Sequence, residues 1–527
     1  MYVTSQKDFY KTDHRRQYPE GTQMVYSNLT PRSSRLFPWA EFDGKIVWFG
    51  LQAWIKDFLM KEWQEGFFDK PKEEVVGRYK RRLDTSLGPD AVPVEHIGEL
   101  HDLGYLPIEI KSLPEGSLVN IGIPCLTIHN TDDRFFWLTN DLETVMSADL
   151  WKPTTVATIA YQYKKMLTKY AEETGGDLNF VALQGHDFSF RGMSGRHDAG
   201  MSGMGHLTSF VGTDTIPAID NVERFYNGNS ENELIGCSVA ATEHSVMCMG
   251  GMDNEHETFR RLIQDIYPSG IVSIVSDTWD LWNVVRPKTG ILAQHKDIIL
   301  NRKEDALGLA KVVVRPDSGD PVKIICGLHV DKGDQQLSIA DVEIISGKYY
   351  NVYTGNEVNT EEVKGVVECL WEEFGGTINE KGYKVLNPRV GVIYGDSITL
   401  DRANAILEGL KAKGFCSTNI VFGIGSYTYQ YITRDTFGFA VKATAGKIKD
   451  SYVSIQKDPI TDGGTKKSAK GFLVVNETNS GFELKQDVSL FEIDQGALQT
   501  VFKDGKLLVD EDFQTIRGRL NNKIIEE

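Results

Sequence analysis

The chain is predicted to be an α/β protein: an irregular (β/α) barrel-like domain plus a β-rich α+β domain built from N- and C-terminal segments. Three observations predict this. Seven short apolar runs between residues 178 and 425 each end in small polar, glycine or charged residues, as in Val312-Val-Val-Arg315-Pro-Asp317-Ser-Gly319. The runs are mostly separated by helix-compatible segments, and that alternation implies parallel strands with crossover helices. After about residue 440 the pattern turns to short strands and turns, such as Gly471-Phe-Leu-Val-Val and Gly505-Lys-Leu-Leu-Val.

In chain order, residues 1–150 read as an N-terminal α+β segment. Extended pieces (Gly44-Lys-Ile-Val-Trp-Phe, Leu118-Val-Asn-Ile-Gly-Ile) adjoin an amphipathic helix over 51–65. Residues 151–440 read as the barrel. A helical pattern over 153–172 leads into strands at 179–183, 208–212, 234–239, 271–275, 311–315, 390–394 and 419–423. Seven units favour a barrel over an open sheet. Residues 327–385 break the rhythm and read as an insertion containing a surface hairpin. Residues 441–527 read as a C-terminal β-rich segment packing with the N-terminal part.

A chain of 527 residues can bury the cores of two or three domains. Its net charge of −17 argues against a nucleic-acid binder. One local exception is a run of cations: Lys442, Lys447, Lys449, Lys457, Lys466, Lys467 and Lys470. It reads as a solvated face from which a minority reach phosphate groups. No apolar stretch approaches the roughly 20 residues that cross a bilayer, so no membrane association is expected. The first residues lack a signal region, and the six cysteines are scattered without metal or disulfide spacing. Cytoplasmic residence is the expectation.

In parallel α/β architectures ligands bind beyond the carboxyl ends of the strands. Arg315 offers a planar fork for carboxylate, phosphate or carbonyl, and Asp317 can hold Mg²⁺ or a sugar hydroxyl; a structural Arg–Asp pair is the alternative. Gly395 allows close backbone approach, and Asp396 can accept from ribose; a tight turn uses the same residues. Gly423-Ile-Gly425-Ser426, ahead of a helix-compatible stretch, can cradle phosphate with free N–H groups. Asp277 and Asp280 could hold a metal through water, or cap a helix. His244 lies in Ala-Thr-Glu-His-Ser. In His186-Asp-Phe-Ser-Phe-Arg191, Phe188 and Phe190 share a face in extended backbone and offer a flat surface to a ring, beside Arg191. Asp214, in Gly212-Thr-Asp-Thr215, can accept from an amide NH₂.

Together these motifs resemble the nicotinamide phosphoribosyltransferase family. The resemblance also covers Asp8-Phe-Tyr-Lys11, Gln17-Tyr-Pro19, Phe49-Gly-Leu-Gln52, Val275-Ser-Asp277 and Lys457-Asp-Pro459. It implies condensation of nicotinamide with phosphoribosyl pyrophosphate, giving nicotinamide mononucleotide and pyrophosphate in NAD salvage. It further implies Mg²⁺, ATP as a coupled phosphoryl donor, and a homodimer with shared active sites. Carried over by position, Phe188 and Tyr10 of the partner subunit match the walls of the nicotinamide slot. Asp214 matches the carboxamide acceptor, and Arg315 sits beside ring and ribose. Asp317 and Asp396 match residues near ribose and metal, with Asp280 a further metal candidate. Gly395, Gly425 and Ser426 fall on the phosphate side. Arg191, Arg32, Lys442, Lys457 and Arg434 match the phosphate and pyrophosphate contacts. His244 matches the histidine that the family phosphorylates from ATP. The chain departs where the family carries a glycine triplet, here Gly425-Ser426-Tyr427, and where Phe9 precedes Tyr10.

Asp214 discriminates among the competing readings. Its carboxylate accepts from nicotinamide and repels nicotinate, so a nicotinate phosphoribosyltransferase would need a different acceptor end. A non-catalytic nucleotide-binding or signalling dimer would not need Arg315, Asp317, Asp396 and His244. A sugar-phosphate enzyme on a regular barrel leaves the aromatic slot unexplained.

Overall fold

The computed structural model describes residues 2–330, 341–457 and 468–526. Asp458, Pro459, Lys466 and Lys467, and residues 331–340 of the expected insertion, lie outside the described residues.

Seven parallel strands follow one another round a ring: β1 Gly185–Asp187, β2 Gly212–Thr213, β3 Ala240–Ala241, β4 Gly270–Val275, β5 Ala310–Arg315, β6 Val390–Tyr394 and β7 Ile420–Ile424. Each pairs with its neighbour in sequence from β3 to β7, and β7 pairs with β1, which pairs with β2. The gap between β2 and β3 is closed by two bonds: Thr213 N–H to Cys237 O (2.9 Å) and Cys237 N–H to Val211 O (2.7 Å). The ring is therefore an irregular barrel. On β5 the side chains alternate. Val312 and Val314 are buried in the main hydrophobic core, while Lys311, Val313 and Arg315 line the barrel's interior.

Four of the expected strands lie where the sequence puts them. The first three differ. Residues 179–183 are helical turns (Leu178–Phe180, Val181–Gln184), and the strand begins at Gly185. A side chain at 185 would meet the Phe210 ring at 2.8 Å, so glycine lets the chain enter the sheet there. Residues 208–211 instead form the turn that follows the helix Arg196–Leu207, and 234–239 contributes one bridging residue ahead of β3. Short apolar runs do not distinguish a buried turn from a strand.

The helix expected over 153–172 spans Leu138–Thr174, with Pro153 inside it. Proline removes one helical N–H donor. Its ring packs against Gly50, where a Cβ would come within 3.1 Å. The helix expected over 51–65 runs through Leu51–Trp54 and then, in wider π-type turns, to Phe68. The region 327–385 is only partly an excursion. A three-stranded antiparallel meander (Val342–Ile345, Lys348–Asn351, Glu357–Val358) stands outside the barrel sheet. The helix Val366–Phe374 returns Val366, Leu370 and Phe374 to the main core.

Both chain ends build a seven-stranded antiparallel sheet. Its order is Ser451–Ser454, Ala440–Ile448, Thr22–Thr30, Leu126–Asn130, Ile108–Ser112, Gln499–Lys503 and Lys506–Leu507. A second core of Trp48, Trp54, Trp63 and neighbours packs with it. The Phe49-Gly-Leu-Gln52 motif is anchored by Glu115 from across the fold. Its buried carboxyl accepts from Gly50 N (2.6 Å), Gln52 N (2.6 Å) and Tyr226 Oη (2.9 Å), serving as a long-range cap for the helix that starts at Leu51.

Burial raises the Glu115 carboxyl from the ordinary 4.5 to about 7, against those three donors. Between these two values the folded protein keeps a proton that the unfolded chain has lost. Stability therefore falls as pH rises from about 4.5 to 7 and is level above. In Glu115→Gln this slope disappears from urea midpoints measured across that window.

Candidate active site

The ring brings the carboxyl ends of its strands around one cleft of about 810 Å³, lined by Phe188, Phe190, Arg191, Asp214, Glu243, His244, Ser245, Arg315, Asp317, Gly395 and Asp396. Phe188 follows β1 and is held by its N–H to Ile424 O (3.0 Å). Its ring lies over two glycines. A Cβ at Gly423 would come within 2.3 Å of the ring, and one at Gly395 within 2.8 Å. Phe190 lies near the same cleft on the following turn, Phe190–Gly192.

Asp214 follows β2. His186 Nε2–H (2.9 Å) and Ser238 Oγ–H (2.6 Å) both donate to its Oδ1. Among the described residues Oδ2 has no protein donor. Burial pushes this carboxyl up, but the bonds from His186 and Ser238 and the charge of Arg315 outweigh it and hold the group below its ordinary 3.8. Asp214 is thus an anion at neutral pH that lines the cleft with one oxygen unengaged among the described residues.

Arg315 ends β5. Burial lowers its guanidinium; Asp317, Asp214 and Asp277 oppose that, and Arg191 adds to it. Nη2 donates to Thr242 O, whereas Nε is buried without a partner. That orphan donor suits a ligand oxygen. Asp277 follows β4 and organises the next loop: its Oδ2 accepts from Asp317 N (2.8 Å) and Ser318 Oγ (2.5 Å). Its Oδ1 is buried and unpartnered. Burial raises the Asp317 carboxyl, with Asp277 and Asp396 adding to the rise and Arg315 and His244 opposing it. His244 opens the helix His244–Met249; its Nε2 is 3.8 Å from Asp317 Oδ2 and its Nδ1 3.5 Å from Thr278 Oγ1.

Asp280 is not among the cleft's lining residues. Its Oδ1 accepts from Trp282 N and Asn283 N and caps the helix Leu281–Val285. Gly425 precedes the short turn Ser426–Tyr429, and no side-chain-sized obstacle lies within 4 Å of it. Ser426 packs against Gly192 in the Arg191 loop, while Tyr427 points outward and stacks on Tyr431 with ring centroids 5.6 Å apart. The lost family glycines therefore do not block Gly425.

A second group lies apart from that lining. Tyr10 is 63% exposed and meets His14 edge-on. Burial lowers the Lys442 ammonium; Arg32, Lys457 and Arg434 add to this, and Glu143 opposes it. Lys442 therefore feels three other cations and one anion, Glu143, which pairs with Lys11 at 2.8 Å. Arg32 Nε also donates to Gly438 O (3.1 Å).

Three contributions were not assigned from the sequence: His186 and Ser238 as holders of Asp214, and Asp277 as organiser of the Asp317 loop. His186 stood inside a singled-out motif and Asp277 was a metal candidate. Ser238 carried no signal, because its role exists only once β3 closes against β2.

The fold and site define an α/β-barrel protein with a charged cleft, walled on one side by an aromatic ring, at the carboxyl edge of its strands. The profile of the "Nicotinate phosphoribosyltransferase (NAPRTase) family" matches residues 183–506, and that of "Nicotinamide phosphoribosyltransferase, N-terminal domain" matches residues 2–80. Nicotinamide phosphoribosyltransferase of Acinetobacter baylyi is 57% identical over 98% of this chain and 96% of its own length. That of Mycoplasma pneumoniae is 35% identical over 88% of this chain and 93% of its own. Two crystal structures share the fold: nicotinate-nucleotide pyrophosphorylase from Pyrococcus furiosus (TM-score 0.53, 14% identity, 100% of this chain and 97% of that one) and human nicotinic acid phosphoribosyltransferase (0.50, 13%, 98% and 93%). The chain belongs to the nicotinamide phosphoribosyltransferase family.

Gly423→Ala would drive a methyl into the Phe188 ring. Overpacking of this kind costs about 1–3 kcal/mol. Steady-state kinetics are expected to show the acceptor's KM raised at least tenfold, with a smaller loss in kcat.

Proposed function

We propose that this enzyme transfers the 5-phosphoribosyl group from phosphoribosyl pyrophosphate to nicotinamide, giving nicotinamide mononucleotide and pyrophosphate. The observation that carries the reading is Asp214: an ionised carboxylate with Oδ2 free, between Phe188 and Arg315 at the mouth of the barrel. The names of the relatives support the same acceptor.

The ring stacks on Phe188, and its amide NH₂ donates to Asp214. Arg315 Nε donates to the amide carbonyl or a ribose oxygen. The ring nitrogen's lone pair needs no base, so positioning is the main requirement. The anomeric C–O bond breaks, an oxocarbenium-like ribose forms, and the C–N bond closes as pyrophosphate departs; no proton moves. Asp396 and Asp317 accept from the ribose hydroxyls, and Arg191 faces the departing phosphates. In this reading a second copy supplies Tyr10 as the other wall, with Arg32, Lys442, Lys457 and Arg434 on the phosphates. None of these residues lines the cleft of a single chain, which supports a homodimer with shared sites. Gly425 and Ser426 present backbone N–H groups on the phosphate side.

The buried, unpartnered Asp277 Oδ1 beside Asp317 fits a hard cation such as Mg²⁺, completed by water and substrate phosphates. Among the described residues no cluster of three ligating side chains exists. Asp280 is committed to its helix cap. Bound there, Mg²⁺ would neutralise charge on the leaving group. ATP coupling is assigned to His244: Nε2 attacks the γ-phosphorus, ADP leaves, and water later cleaves the phosphohistidine. Six unpaired cysteines suit a cytoplasmic setting.

A carboxylate facing Asp214 costs about 2–5 kcal/mol in a desolvated site. Parallel assays are expected to show strong preference for nicotinamide over nicotinate, collapsing at least tenfold in Asp214→Ser. An unchanged ratio in Asp214→Ser would remove Asp214 from this role, and a preference for nicotinate in the wild type would favour the nicotinate enzyme. In His244→Ala, ATP hydrolysis is expected to vanish while slow synthesis persists; undiminished stimulation by ATP would remove His244 from this role.

A further inference from the structure

Arg191 lines the cleft from the short turn Phe190–Gly192, and Gly425 leads into a second short turn, Ser426–Tyr429, which ends at Gln430. The two turns come from segments far apart in the chain, and they touch. A side chain at Gly192 would collide with Ser426 Oγ. Contact alone leaves short surface turns free to move. Something behind them has to fix their spacing.

A closed cycle of hydrogen bonds among four residues does this. Lys152 Nζ, on the helix Leu138–Thr174, donates to Asp198 Oδ2 (2.5 Å) and to Gln430 Oε1. Asp198 Oδ2 also accepts from Ser194 N (2.8 Å), and Gln430 Nε2 donates to Ser194 Oγ (2.6 Å), which closes the cycle. Three segments are thereby tied together: the long helix, the stretch between Arg191 and the helix Arg196–Leu207, and the end of the Ser426 turn. Asp198 has a local reason to be there. It lies in the first turn of Arg196–Leu207, where a carboxylate suits the helix N-terminus, and its Oδ1 accepts from Ser202 Oγ (3.1 Å). Lys152 and Gln430 take no part in that local role. Lys152 is only 8% exposed, and a lysine so deeply placed needs its charge matched. Its base is rigid. Pro153 follows it with its ring against Gly50, and a Cβ at Gly205 would come within 2.7 Å of Pro153 O. The two helices therefore pack closely at the point from which the lysine reaches out.

The geometry points to Lys152 as a positioning residue for the phosphate-bearing substrate: through Asp198, Ser194 and Gln430 it holds the Arg191 loop and the Gly425-Ser426 turn at a fixed spacing. Lys152 is not among the residues that line the cleft. The inference rests on the reading that Arg191 and this turn meet the donor's phosphates. Phe188, Asp214 and Arg315 are held by other bonds, to Ile424, to His186 and Ser238, and to Thr242. Loss of Lys152 is therefore expected to weaken the phosphate partner and spare the ring.

Isothermal titration of the full-length protein with pyrophosphate, Mg²⁺ present, and separately with nicotinamide reads the two ends without turnover. Pyrophosphate affinity is expected to fall about tenfold or more in Lys152→Met, and about fivefold or more in Gln430→Leu, which breaks the cycle without changing charge. Nicotinamide affinity is expected to stay within about twofold in both, which also reports an intact fold. Unchanged pyrophosphate affinity in Lys152→Met, parallel loss of both ligands, or no pyrophosphate binding to the wild type would overturn the proposal. So would a loss in Lys152→Met with none in Gln430→Leu, which marks an effect of charge alone. A wild type that binds pyrophosphate, with the expected losses in both variants, but forms no nicotinamide mononucleotide would sink the proposed reaction and uphold the positioning role.

Discussion

The two hydrogen bonds through Cys237 hold β2 against β3 and complete the ring of seven strands. Without them the sheet would open at that seam, and His186, Asp214 and Ser238 would not converge. Closure also forces the strand ends inward, so Phe188 can occupy its place only because Gly395 and Gly423 lack side chains. The same economy of size continues down the barrel axis, where small inward residues leave a cavity in place of a packed core.

Charge around the cleft falls into two sets. Asp214 and Arg315 stabilise each other's charge, while Asp277 and Asp396 raise the Asp317 carboxyl against Arg315 and His244. Burial and mutual repulsion raise Asp317, a strain that a cation or a donor-rich sugar relieves. The surplus positive charge lies elsewhere, in Arg32, Lys442, Lys457 and Arg434. A phosphate-rich donor needs both groups, and that requirement makes assembly part of the proposed mechanism. Glu115 serves the distant helix start in a related way, with one buried carboxyl replacing a local cap.

Much of this was legible in the residues. β-branched runs such as Ile271–Val275 and Val312–Arg315 became strands at their expected places, because such side chains favour extended backbone with one face packed in the core. Arg315, Asp317, Asp396 and Phe188 stand at strand ends, and Asp214 stands beside them. The reading failed where runs were short, since 179–183 folded as turns, and the helix expected from 153 begins at Leu138. Asp280 had the composition of a ligand and the position of a cap.

The sequence by itself determined the order of strands, the residues offered at their ends and the family to which they belong, since these follow from local pattern and residue chemistry. Only the tertiary structure decided which oxygen of Asp214 stays free, that Asp277 holds the Asp317 loop while Asp280 caps a helix, and that the barrel is hollow. Those features depend on the distances between segments far apart in the chain. Burial, hydrogen bonding and the effective strength of charge are all set by such distances.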